Sequence, residues 1–133
     1  MFENQELREQ LERLFRYDVR EATDSALKKL YSDKGKTADS VFYVKLDVGD
    51  MQSLRFYEHC TGGQDKIILD VQFTDAKVAE LKCEDKLLMT ISKYNATTCK
   101  LERPGKGSIF LQDDTPRFFH LLVDNIYKML SGK

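Results

Sequence analysis

The chain contains no tryptophan, only two prolines and three cysteines, and no apolar run longer than a few residues. Each shortage excludes something. Runs such as Phe118-Phe119 and Leu121-Leu122-Val123 fall far short of the roughly 20 residues that span a bilayer. Cys60, Cys83 and Cys99 are odd in number and widely spaced, which is not the pattern of a disulfide framework. An excess of one charge is also missing: 21 basic and 22 acidic side chains are interspersed to a net charge of −1. That balance supplies no global field to gather nucleic acid or anionic lipid, so no nucleic-acid partner is expected.

What is present describes one ordinary domain. At 133 residues, 41% hydrophobic and 32% charged, the chain has enough surface to bury roughly two thirds of it on folding. The opening Met1-Phe2-Glu3-Asn4-Gln5-Glu6 is acidic and polar where a secretory signal is basic and then apolar. A reducing, cytoplasmic location is therefore expected.

Residues 4–31 carry a helical period. Leu7, Leu11, Leu14, Phe15, Val19, Ala22, Ala26 and Leu30 recur at three- and four-residue steps, and Glu9/Arg13, Glu12/Arg16 and Asp24/Lys28 supply i,i+4 pairs. Gly35 is placed to close the helix, so residues 1–36 are predicted to form an N-terminal helix and linker. From Ser40 to Gln112 the period becomes two. Phe42, Val44, Leu46 and Val48 share one face, Tyr43, Lys45 and Asp47 the other, and Gly49-Asp50 makes a turn. A strand over 66–73 alternates through Ile67, Leu69, Val71 and Phe73, and further strands are predicted at 53–60, 87–94, 97–103 and 108–112. Residues 76–83 fit a short helix or an edge strand equally well. The prediction over 40–112 is a curved antiparallel meander of about six strands, either open or barrel-like. Asp113-Asp114-Thr115-Pro116 then predicts a helix over 115–131, with Thr115 as its cap and Phe119, Leu122, Val123, Ile126 and Met129/Leu130 as its buried stripe. The fold class is α+β, in one domain spanning 1–133.

Reactive groups are scattered. Gly35-Lys36-Thr37 ends like a phosphate-binding loop, but it follows a helix and has Leu30 where the earlier glycine belongs. His59 and Cys60 are adjacent and on a strand would face opposite sides. No CxxC, CxxH or HxxxH pair marks a zinc site, and Asp113 and Asp114 are accounted for by a helix N-terminus. No catalytic residue, metal or cofactor is expected. Tyr43, Phe56 and Tyr57 could form a stacking platform, but cross-strand packing explains them without one.

Three likenesses are of shape, not of motif. The closing run Pro116-Arg117-Phe118-Phe119-His120-Leu121-Leu122-Val123-Asp124-Asn125-Ile126-Tyr127 resembles the globular ends of dimeric kinetochore and checkpoint proteins. A meander followed by a helix is similar in order to pleckstrin-homology-like domains, without their basic lipid-binding loop. Size and charge balance resemble the dimeric secretion chaperones. Fold analogy of this kind implies protein binding at most.

The leading expectation is a non-catalytic protein-interaction module of adaptor, scaffold or chaperone type. It is expected to be homodimeric through the first helix, with Leu7, Leu11, Leu14, Phe15 and Val19 as interface candidates. An equally weighted reading has that stripe pack on the protein's own sheet. The alternative function is an apolar-ligand or lipid-binding domain whose pocket, between sheet and C-terminal helix, is lined by Phe42, Leu69 and Phe119. A second alternative is an enzyme pairing one of the cysteines with a histidine.

Overall fold

A computed structural model describes the backbone over residues 2–36, 40–48, 51–60 and 62–132, and side chains over 15–36, 40–46, 53–60 and 62–132. Thr37, the Gly49-Asp50 turn and the side chains of Leu7, Leu11, Leu14, Glu9, Glu12, Arg13, Asp47 and Val48 lie outside those ranges. Helix α1 (Phe2–Asp33) leads into strands β1 (Val41–Val48), β2 (Met51–Glu58), β3 (Lys66–Asp75), β4 (Val78–Cys83), β5 (Lys86–Asn95), β6 (Thr98–Arg103) and β7 (Gly107–Gln112), and α2 (Phe118–Leu130) follows. Every strand pairs antiparallel with its sequence neighbour, in the order β1 to β7. The α+β class holds, with seven strands instead of about six, because 78–83 is a strand. The sheet is open, not closed into a barrel.

Helix α1 ends where Gly35 adopts φ +81°. The amide of Lys36 donates to the Tyr31 carbonyl (2.9 Å) and that of Gly35 to Ser32 (3.0 Å), the reciprocal pattern of a Schellman cap. Asp24 and Lys28 make the expected ion pair at 3.0 Å. From Phe15 onward the helix buries Phe15, Val19, Ala22, Ala26, Leu27 and Tyr31. These join one core with Leu54, Phe56, Leu69, Val71, Ala79 and Leu81 of the sheet and Phe118, Leu122, Ile126 and Met129 of α2. Both helices therefore share one face of the sheet, and they contact each other through Tyr127, whose hydroxyl bonds to Asp33 and whose ring lies 4.6 Å from Lys29 Nζ.

Three local departures from the predicted pattern have physical causes. In β1, Val41 is buried and Tyr43 packs on the core, whereas Val44 is exposed. The face is set by β2: Tyr43 lies opposite buried Phe56, and Val41 opposite buried Glu58. Phe42 accordingly faces outward, its ring stacked on Tyr57 (5.4 Å) and His59 (4.2 Å). In β3 a register shift opposite Phe56/Tyr57 turns Ile67 out, 50% exposed, and brings Ile68 against the core. At the start of α2, the Thr115 hydroxyl donates to the Gln112 carbonyl (3.1 Å) and caps nothing. Pro116 and Arg117 form a turn, the helix begins at Phe118, and the stripe is Phe118, Leu122, Ile126 and Met129, leaving Phe119 exposed.

Candidate functional site

A cleft opens at one end of the sandwich, where α1 and α2 finish and β3 and β5 begin. Its volume is about 630 Å³. Leu27, Leu30 and Tyr31 of α1, Ile68 and Leu88 of the sheet and Met129 and Leu130 of α2 make an apolar wall. They meet there because each closes an element: the last turns of both helices lie beside the register shifts that turn Ile68 and Leu88 toward the core. Lys34, Lys66 and Lys86, all exposed, stand around the cleft with Glu84 as the one carboxylate lining it.

Behind the wall lies a polar network. Glu58, buried at the end of β2, pairs with Lys36 and accepts the Tyr31 hydroxyl. The Lys36 hydrogen bond holds the Glu58 carboxyl below its ordinary value against the opposing effect of burial. Burial, reinforced by the Glu58 charge, pushes the Tyr31 phenol up to about 12, so it stays a donor.

The cysteines and histidines are not brought together as a dyad among the described residues. Cys60 is exposed, with its thiol 3.8 Å from the Glu58 carbonyl, and Cys83 lines the cleft. Cys99 is buried and donates to Asp113 at 3.4 Å. Burial first, then Asp113, pushes that thiol up to about 12, the reverse of what activates a nucleophile. His59 lies 3.1 Å from Asp65, and His120, on the exposed face of α2, 3.5 Å from Asp124. Lys93 pairs with Asp113, and burial followed by the charge of Asp113 raises the carboxyl of nearby Asp18. Among the described residues, no group of three or more His, Cys, Asp or Glu could hold a metal, and no helix is long and apolar enough to cross a membrane.

No protein-family model, curated protein or solved structure matches this chain. Its residues carry the functional argument unaided.

Of the interface candidates, Phe15 (6% exposed) and Val19 (1%) are buried against the protein's own sheet, so their part of the stripe is internal. Leu7, Leu11 and Leu14 belong to the same helix, but their side chains lie outside the described residues. The expected pocket lined by Phe42, Leu69 and Phe119 is not formed: Phe42 faces outward, Leu69 is in the core and Phe119 is 40% exposed on α2. Sequence reasoning missed the actual cleft. Its lysines come from three separate segments, and no spacing connects them before the chain folds.

A second exposed apolar group lies near the β7 edge. Tyr94 of β5 and Phe110 of β7 (62% and 52% exposed) meet edge-to-face at 5.0 Å, while Ile109 (42% exposed) lies on the other face of the strand, paired with Leu101. β7 pairs with β6 alone, so its other side presents an unpaired strand edge among the described residues.

Proposed function

We propose that this chain is a non-catalytic protein-interaction module, acting as an adaptor, scaffold or chaperone-like subunit in the cytoplasm and self-associating through the first part of α1. The length of α1 carries the reading. At 1.5 Å per residue, 32 residues make a helix of about 48 Å. The part of the helix whose burial is described, Phe15 to Tyr31, takes about 24 Å of that, comparable to the 8 to 10 residues of the strands beneath it. The earlier helical residues continue the same stripe through Leu7, Leu11 and Leu14, spaced as a partner helix would require. Tyr94 and Phe110, beside the unpaired edge of β7, supply a second surface, suited to an added strand of a partner.

Light scattering of the full chain tests the proposal. Wild type is expected at twice the monomer mass and Leu7→Asp/Leu11→Asp at the monomer mass, with an unchanged circular dichroism spectrum. A monomeric wild type, or a variant that keeps the dimer mass, overturns self-association by this helix. A second reading, a ligand-binding domain, is favoured by the cleft of about 630 Å³ at the helix ends.

A further inference from the structure

We propose that the cleft between the ends of α1 and α2 and the starts of β3 and β5 binds a free, single-chain amphiphile: an alkyl tail bearing a carboxylate or phosphate-monoester head. The proposal rests on the ligand-binding reading of the cleft and is independent of self-association. A volume of about 630 Å³ falls within the range of roughly 300–1,000 Å³ typical of small-molecule sites. Leu30, Ile68, Leu88 and Leu130 offer the tail an apolar wall with no charged side chain among them.

Charge selects the head. Several lysines elsewhere are matched internally, Lys36 with Glu58, Lys82 with Glu80, Lys93 with Asp113 and Lys100 with Glu102, so the charge that matters here is the clustering of three unmatched ones at a single cleft. Lys34, Lys66 and Lys86 have no carboxylate within ion-pair distance among the described residues, and all three line this cleft. Lys34 Nζ lies 5.3 Å from the Tyr31 ring, within cation–π reach at the rim of the wall. Opposing these are Glu84 and the two helix C-termini, each worth about half a negative charge. The balance remains positive. Apolar side chains cover the wall while lysine stems reach past them to hold charge at the water boundary, an arrangement complementary to an amphiphile lying the same way.

Cys83 reports occupancy from within, because it lines the cleft while Cys99 is buried and Cys60 can be replaced. The experiment titrates the full Cys60→Ser chain with monomeric dodecanoate and dodecyl phosphate, using dodecanol and dodecylamine as controls. Calorimetry and the rate of Cys83 alkylation are read in parallel. Both anions are expected to bind and slow alkylation, with each added methylene raising affinity about fourfold. Lys66→Gln/Lys86→Gln, which removes both charges without setting a second carboxylate opposite Glu58, is expected to weaken the anions at least about tenfold, with the melting temperature measured alongside. Equal binding of dodecanol and dodecanoate, insensitive to the lysine changes, overturns the anionic head while leaving the cleft a ligand site. Failure of every alkyl probe to bind or to protect Cys83 overturns both. Lysine-dependent sedimentation with phosphatidylglycerol vesicles, without binding of the monomeric probes, assigns the charge to a membrane surface and overturns the free amphiphile.

Discussion

Lys36, just past the Schellman cap of α1, pairs with Glu58, the buried last residue of β2. This contact ties the end of the long helix to the sheet directly behind the cleft. Its carboxylate is the charged form that the fold prefers, so its contribution to stability depends on pH. Because the folded-state value lies below the ordinary 4.5, stability from Glu58 is fully present above that pH and is lost as pH falls through the depressed value. Glu58→Gln is expected to flatten the acid limb of a stability-versus-pH profile measured by urea unfolding. Lys36→Ala is expected to cost about 1 kcal/mol at neutral pH, a modest figure because Lys36 itself is half-exposed.

Leu121 and Leu122 are neighbours in sequence and opposites in energy. Leu122 is fully buried in the shared core, and Leu121 is 39% exposed. Leu122→Ala should destabilise by about 2–5 kcal/mol through lost burial and the cavity left behind. Leu121→Ala should change stability by less than about 0.5 kcal/mol. Denaturation midpoints of the two variants check the assignment of the helix face, and equal effects would refute it.

The β4–β5 hairpin turns through Glu84 (φ 51°) and Asp85 (φ 66°), neither of them glycine. Two successive residues with positive φ are the backbone of a type I′ turn, for which Asn-Gly is the preferred pair. Glu84→Asn/Asp85→Gly should relieve this conformation and raise stability by about 1 kcal/mol, visible as a melting temperature higher by a few degrees.

The three thiols should separate by reactivity. In native protein at neutral pH, Cys60 is expected to react first with a disulfide reagent, Cys83 more slowly, and Cys99 only on unfolding, since burial and Asp113 hold its thiol near 12. Mass mapping after timed labelling measures the order. Labelling of Cys99 without unfolding would contradict its placement.

Much of the architecture was legible in residue order because periodicity is a local property. The three-and-four spacing through Val19, Ala22 and Ala26 appears as the buried face of α1, and the strands expected at 87–94 and 97–103 appear as β5 and β6. Errors arose where alternation carried no sign. In β1 both sets are apolar enough to face inward, Phe42, Val44 and Leu46 on one side and Val41 and Tyr43 on the other, and pairing with Phe56 chose between them. The choice between Phe118 and Phe119 was open for the same reason, and the turn at Pro116 decided it. Ile67 was misassigned because a bulge adds one residue to the strand, invisible until the partner strand is known.

By itself the sequence determined the elements: a long amphipathic helix, a run of short antiparallel strands and a second helix, each following from side-chain spacing within a few residues. Tertiary structure alone decided which face of β1 is buried, that residues 78–83 complete a seven-stranded open sheet, and that Lys34, Lys66 and Lys86 surround one apolar cleft. Those outcomes depend on contacts between residues tens of positions apart, and their selection energy exists only once the core has brought the helix ends and strand starts together.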